Sequence, residues 1–320
     1  MNPLQTERGI VVIGDAQITM VADGAIGEAS TFRRSQSGDA LITAVVISRL
    51  DQPVAFVTRI GTDGFTDGLL QSWDAESLHL DYTRQVSGRN AITLMGDGEA
   101  VRLRDGAAAG LDADDIGQIL WQATNMVFAP GSTSALGVKP HEALVAALTS
   151  ARERNVTTVF DPMLHRGVWP EGAAQGARSA FEDLLPLTDL LLISAPFATG
   201  QLLQRASASE AAEVAQRRGI TQAVIRHGRR GCVVVDRDRV ITIEQPATNA
   251  ARTTPLGEAV FDGAVVAGVA SGMSLEEAAR GALRCSDALV ATADTVANVP
   301  PMGTLRSALS GEESAVPPAP

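Results

Sequence analysis

Residues 252–263 read Arg252-Thr253-Thr254-Pro255-Leu256-Gly257-Glu258-Ala259-Val260-Phe261-Asp262-Gly263, a turn that runs straight into a helix of small residues. Proline suits the first turn of a helix, where its missing amide costs nothing and its fixed φ is already helical, so Thr254-Pro255 predicts the N-terminus. A helix start presents unpaired amides and a partial positive charge, the two ingredients of an anion site. Leu256, Gly257 and Glu258 supply the candidate amides, and the Glu258 carboxylate stands where a general base could act. A proline and an acidic residue also open helices that bind nothing, so the stretch is weighed with the chain around it.

Upstream, short β-branched apolar runs alternate with longer segments of helical period. Ile10–Ile13, Ala55–Arg59, Asn125–Ala129, Thr157–Phe160, Leu190–Ile193 and Ala223–Arg226 read as buried strands. Asp39–Leu50, Phe65–Trp73, Pro140–Arg154, Gln175–Leu185, Ser209–Arg218 and Ser274–Thr292 read as helices. That alternation predicts an α/β fold with a mainly parallel sheet. Asp15–Arg34 and Arg89–Leu103 break it, being polar and strand-like with turn residues such as Gly96-Asp97-Gly98, and predict antiparallel strands leaving the main sheet. Gly231–Val235 and Arg239–Ile243 predict a hairpin about Asp236-Arg237-Asp238.

Composition narrows the chemistry. The 320 residues are 45% apolar and 20% charged, enough to bury a large core, which excludes a fibrous or disordered chain. Twenty-six Lys and Arg against 37 Asp and Glu leave a net charge of −11, which argues against general adhesion to nucleic acid or anionic membranes. Lys139 is the only lysine, so arginines carry nearly all cationic chemistry. Cys232 and Cys285 are too few for a disulfide framework and lack zinc-site spacing, and are expected to be reduced and buried. No GxxxxGK[ST], GxSxG, HExxH or protein-kinase HRD pattern occurs. The longest apolar stretch, around Ala264 to Ala270, falls far short of the roughly 20 residues that span a bilayer, and no targeting segment opens the sequence. A soluble, cytoplasmic protein is expected.

Two other loops offer chemistry. In Arg226-His227-Gly228-Arg229-Arg230-Gly231 a strand ends in two glycines three apart, which lets backbone approach a ligand and arginines meet phosphate. Asp161-Pro162-Met163-Leu164-His165-Arg166 follows a buried strand, at the end of the sheet where open α/β folds hold ligands. Asp112, Asp114 and Asp115 fit the capping of a helix start better than a metal cage.

In this order and at these distances, the segments resemble the ribokinase-like, or PfkB, carbohydrate kinase family, especially its 2-keto-3-deoxygluconate kinase branch. The resemblance runs from about Val11 to Pro301 and includes Ser37-Gly38-Asp39-Ala40, Ile60-Gly61-Thr62-Asp63-Gly64-Phe65, Phe160-Asp161-Pro162, Trp169-Pro170, the Gly228 and Gly231 pair, and Thr253 to Gly263. It implies one ribokinase-like α/β domain over residues 1–309, a central mainly parallel sheet flanked by helices, with the strands at about 15–36 and 87–104 forming a small β lid. Residues 310–320 are expected to form a disordered tail. It also implies transfer of the γ-phosphate of ATP, with magnesium, to a hydroxyl of a sugar or sugar acid, and a homodimer joined through the lid.

By position, the resemblance assigns Glu258 as catalytic base and Leu256, Gly257 and Glu258 as the anion hole. Arg226, Gly228, Gly231, Arg252 and Thr254 fall on the cofactor side, and Thr19, Gly38, Ile42, Asp161, His165 and Arg166 on the substrate side; no metal ligand is assigned. The sequence departs from the family's Asp-Thr-x-Gly-Ala-Gly-Asp signature. Glu258 replaces its last Asp, Pro255 its first Gly, Leu256 its Ala and Arg252 its leading Asp. Thr19 stands at a substrate-binding Asp, Ile42 at an Asn, Met163 and His165 at an Asn and an Arg, and Ser194 and Phe197 at the magnesium-associated Asn and Glu. Three readings stay open: a sugar kinase of weak or altered activity, a catalytically silent binding or scaffold protein, and a kinase whose acceptor pocket is made apolar by Ile42, Met163 and Phe197.

Overall fold

A computed structural model of the chain describes residues 9–165, 168–169, 174–248, 251–290 and 293–312. In chain order the strands are β1 (Gly9–Ile13), β2 (Gln17–Ala22), β3 (Phe32–Ser37), β4 (Val54–Ile60), β5 (Thr83–Gln85), β6 (Ala91–Gly96), β7 (Glu99–Leu103), β8 (Thr124–Pro130), β9 (Thr157–Asp161), β10 (Leu190–Ser194), β11 (Gln222–Arg226), β12 (Gly231–Asp236) and β13 (Arg239–Glu244). The helices are α1 (Asp39–Arg49), α2 (Thr66–Ala75), α3 (Ala113–Ile116), α4 (Val138–Arg152), α5 (Ala174–Leu184), α6 (Phe197–Leu202), α7 (Ala208–Arg217), α8 (Pro255–Ala270), α9 (Leu275–Asp287) and α10 (Met302–Ser310).

Nine strands form the main sheet in the order β13-β12-β11-β10-β9-β8-β1-β4-β5. Every pairing from β11 to β5 is parallel, and β12 and β13 close one edge as an antiparallel hairpin. The apolar runs are continuous because both faces of these strands are buried. Along β1, Ile10 and Val12 join one core and Val11 and Ile13 the other. Leu190 and Leu192 are likewise separated from Leu191 and Ile193 on β10. The first core is covered by α1, α8 and α9, whose apolar residues fill it; the second is covered by α4, α5 and α7. This is the three-layer ribokinase-like α/β arrangement.

The second sheet has four strands in the order β3-β2-β6-β7. Its two hairpins are antiparallel, as the sequence suggests, but the joint between them is not: β2 pairs with β6 in parallel, Gln17 beside Ala91. The hairpins leave the main domain from two separate points in the same direction, so side-by-side strands run the same way. Turn patterns cannot reveal that relation.

Other differences are local. α4 begins at Val138 because Pro140 is accommodated in the first turn. α9 opens with a Ser274–Glu277 capping box and stops at Asp287, short of Thr292. The chain then turns back toward the start of α8, and Thr292 lies outside the described residues. Asp112 caps α3, its side chain accepting from the Asp114 amide at 3.1 Å while the Asp115 carboxylate accepts from the Asp112 amide at 3.0 Å. Ser310 belongs to α10 rather than to a tail, and residues 313–320 lie outside the described residues. Cys232 and Cys285 are free and buried, and burial pushes both thiols up to about 12. Among the described residues no helix is long and apolar enough to cross a membrane.

Candidate functional site

The strand order reverses around β1, which has β4 on one side and β8 on the other. Such a switch point opens a crevice at the carboxyl ends of the strands. Asp15 follows β1, Ser132 follows β8, Asp161 ends β9, Ser194 ends β10 and Arg226 ends β11. The start of α8 faces the same end of the sheet.

Two cavities meet there. The larger, about 350 Å³, lies between the ends of β10 and β11 and helices α8 and α9, and its wall includes Ser194, Phe197, Arg226, Gly228, Gly231 and Glu258. The smaller, about 40 Å³, lies under the four-stranded sheet, with Asp15, Gly38, Ile42, Arg102, His165 and Asp294 in its wall. His165 Nε2 approaches Glu258 Oε2 at 4.0 Å, so the wall between the cavities carries a carboxylate on one side and an imidazole on the other. His165 Nε2 is buried without a hydrogen-bond partner.

Glu258 belongs to a buried cluster. Arg226 sends Nη2 to Glu258 Oε2 at 3.3 Å and to Asp161, Nη1 to Asp262, and Nε to Ser194 Oγ at 2.7 Å, and its guanidinium lies 5.6 Å over the Phe261 ring. Three carboxylates thus face one cation. Burial drives the Asp262 carboxyl well above the usual carboxylate range, opposed by Arg226 and assisted by repulsion from Asp161 and Glu258. Burial raises Asp161 as well. On Arg226 burial works against the charge, but the carboxylates outweigh it and its pKa rises. The balance between burial and the single cation thus shifts both aspartates toward their protonated forms, Asp262 the more strongly.

The helix start is capped by its own chain. Leu256 N donates to Asp294 Oδ1 at 2.8 Å, Gly257 N to Thr254 Oγ1 at 3.1 Å and Glu258 N to the Thr254 carbonyl at 3.0 Å. All three amides read as an anion hole are thus engaged in this conformation. Thr254 acts as N-cap, and Arg252 is an anchor, donating to Asp287 on α9 and to the Gln245 carbonyl at 2.5 Å. The charge introduced by Arg252 is balanced by Asp287.

Other assignments separate in space. Gly38 lines the smaller cavity with φ +123°, and a Cβ there would lie 2.5 Å from the Asp15 carbonyl. Thr19 is buried away from both cavity walls, its hydroxyl donating to Ser37 Oγ at 2.7 Å, because its strand position turns it into the lid. Asp161 also lines neither cavity; it is committed to Arg226 and to the Met163 amide at 2.6 Å. Arg166 lies outside the described residues. Ile42, Met163 and Phe197 do not converge: Ile42 faces the smaller cavity, Phe197 the larger, and Met163 packs in the core. The apolar acceptor pocket is thereby excluded.

Several site residues escape sequence reasoning. Asp15 pairs with Arg104 at 3.2 Å, and Arg104 also donates to the carbonyls of Ser132 and Val168. Arg102, two residues earlier, lines the smaller cavity; among the described residues its guanidinium has no hydrogen-bond or ion-pair partner. The i, i+2 spacing of the two arginines, one on β7 and one just past its end, was the available signal. Asp294 is half-buried, and its desolvation raises its carboxyl to about 6, with Asp39 adding and the Leu256 amide, His165 and Arg102 opposing.

A family model, pfkB family carbohydrate kinase, matches residues 7–301. The 2-dehydro-3-deoxygluconokinase of Dickeya dadantii (strain 3937) is 26% identical over 300 residues, 88% of this chain and 94% of that protein. Among solved structures, a PfkB protein from Polaromonas sp. JS666 superposes with a TM-score of 0.82 at 19% identity, covering 93% of this chain and 99% of that one. Fructokinase from Vibrio cholerae O395, in a fructose, ADP and calcium ion bound form, gives 0.81 at 19% identity, covering 94% and 99%. With strands, crevice and helix start in the order its sequence motifs require, the chain belongs to the pfkB family of carbohydrate kinases.

Proposed function

We propose that the protein transfers the γ-phosphoryl group of ATP to a hydroxyl of a sugar acid, with Glu258 as general base. The observation that carries this reading is the position of Glu258 between two cavities, in the wall of the larger and 4.0 Å from a histidine in the wall of the smaller. The acceptor hydroxyl gives its proton to the Glu258 carboxylate as its oxygen bonds the γ-phosphorus, and the bond to the ADP oxygen breaks. Positioning and charge stabilisation supply most of the acceleration in such a step. The nucleotide belongs in the larger cavity, beside the Gly228 to Gly231 loop and the α8 N-terminus.

The acceptor class follows from Arg102, a half-buried cation in the wall of the smaller cavity whose guanidinium makes no hydrogen bond or ion pair among the described residues, with Asp294 acting on it only through its charge. A carboxylate on the substrate would give it one. At about 40 Å³ the cavity has room for only a few waters, so the lid must lift to admit a sugar acid. Gly38 and Ile42 form its floor. Magnesium would enter on the nucleotide phosphates, where it neutralises charge on the transferred group. Among the described residues no cluster of His, Cys, Asp and Glu is built to hold a metal, and Glu258 is the carboxylate in the larger cavity's wall.

Phe32 on β3 and Val101 and Leu103 on β7 are exposed on the lid, and are the surface through which two copies would pair. A reaction drawing on ATP belongs in the cytoplasm. The engaged amides favour a second reading, a silent ligand-binding protein. Turnover of ATP and magnesium with a panel of sugar acids separates the two, comparing wild type with Glu258→Gln. A loss of about 100-fold or more in kcat is expected. Unchanged turnover in the variant removes Glu258 as base, and no turnover in the wild type leaves the silent reading.

A further inference from the structure

We infer that Arg226 is a positioning residue for Glu258 and not a ligand of the nucleotide, an inference that rests on the general-base role proposed above. The loop Arg226 to Gly231 invites the opposite view, since an arginine at a strand's end beside two glycines is well placed for phosphate, and Arg226 does border the larger cavity. Its donors are spent elsewhere. A guanidinium carries five N–H groups in a fixed fork. Four of them go to Ser194, Asp262, Asp161 and Glu258. Its side chain is 8% exposed, Asp262 is fully buried and Asp161 nearly so, whereas Glu258 is 16% exposed.

The asymmetry of that burial gives the cluster its direction. Asp161 and Asp262, from β9 and α8, hold the guanidinium from the inside, and Ser194 at the end of β10 fixes its plane through Nε. Phe261 covers one face at 5.6 Å. Of its three carboxylate partners, only Glu258, at 3.3 Å, stands in the wall of the larger cavity. A glutamate has one more rotatable bond than an aspartate, so its carboxylate needs an external restraint to stay in one place. Arg226, immobilised on three sides, supplies it. Asp161 and Asp262 thereby act on Glu258 through Arg226, three contacts away from the substrate.

The test compares Arg226→Lys and Ser194→Ala, each in the wild-type and in the Glu258→Gln background, by steady-state kinetics and by calorimetric binding of ATP. Lysine keeps the charge but not the fork, and Ser194→Ala leaves Arg226 in place with its plane released. The inference predicts that Arg226→Lys lowers kcat by about 10- to 100-fold, because a carboxylate misplaced by an ångström costs about that much. ATP affinity should stay within about twofold. Ser194→Ala should lower kcat a few-fold in the same pattern. Neither change should lower activity further once Glu258 is glutamine, since residues acting through one group are not additive.

A tenfold or greater loss of ATP affinity with kcat retained would make Arg226 a nucleotide ligand and overturn the inference. So would equal losses in both backgrounds, the mark of a merely structural role. If Arg226→Lys does not fold, Ser194→Ala decides by the same criteria. Failure of the base reading is seen separately, in Glu258→Gln alone, or in a wild type that turns over nothing, which overturns both.

Discussion

Asp294 accepts a hydrogen bond from the Leu256 amide at 2.8 Å, so a carboxylate from the far side of α9 sits on the first turn of α8. It occupies a donor that a phosphate oxygen would otherwise use, and it also borders the smaller cavity. The interaction with the helix start is favourable, yet burial outweighs it and leaves the carboxyl raised to about 6.

That shift sets a pH dependence with a definite sign. The folded protein binds this proton more tightly than the unfolded chain, so stability from Asp294 is greatest below the ordinary 3.8 and is lost as pH rises to about 6. A shift of this size corresponds to about 3 kcal/mol at most. Asp294→Asn keeps an acceptor for the Leu256 amide without the charge. Its melting temperature should exceed that of wild type at pH 7.5, with the difference vanishing near pH 4. Equal profiles in the two proteins would show that the carboxylate carries no such cost.

Arg102 predicts substrate class. Arg102→Leu should raise KM for a sugar acid about tenfold or more, in line with the loss of a hydrogen bond between charged groups, while leaving KM for a neutral sugar unchanged. Parallel losses on both substrates would mean that Arg102 shapes the lid without reading a carboxylate.

The two glycines of the β11–β12 turn should respond unequally to alanine. At Gly231, φ is +135° and a Cβ would lie 2.0 Å from the Ile243 carbonyl oxygen, whereas Gly228 has φ +55° and open space around it. Gly231→Ala is expected to cost about 2–4 kcal/mol by urea unfolding, and Gly228→Ala about 1 kcal/mol. Similar costs would show that the β11–β12 turn relaxes around the added methyl.

The fold was legible because its central strands are buried on both faces, and Ile10–Ile13 or Leu190–Ile193 can be nothing else in an α/β alternation. Glu258 was legible for a local reason, the helix start that holds it. Arg226 and Arg252 were visible as cations, but their partners lie on other elements: Asp161 and Asp262 for one, Asp287 for the other. No local pattern tells a phosphate-facing arginine from one already neutralised. Asp262 did leave a trace, a single acid inside the apolar run from Ala259 to Ala270, where burial demands a partner. Asp294 left none.

The parallel joint between β2 and β6 links residues more than seventy positions apart, Gln17 beside Ala91, with α1, β4, α2 and β5 lying between them. Closing so long a segment carries an entropic cost that a few lid pairings cannot offset alone. The main sheet meets it by placing Ile10 beside Val54 and Thr58 beside Thr83, which brings the two hairpins to neighbouring points before they touch. The lid is in that sense a dependent element whose cohesion is borrowed from the body beneath it. Its strands should come apart only when the main sheet does, in one calorimetric transition.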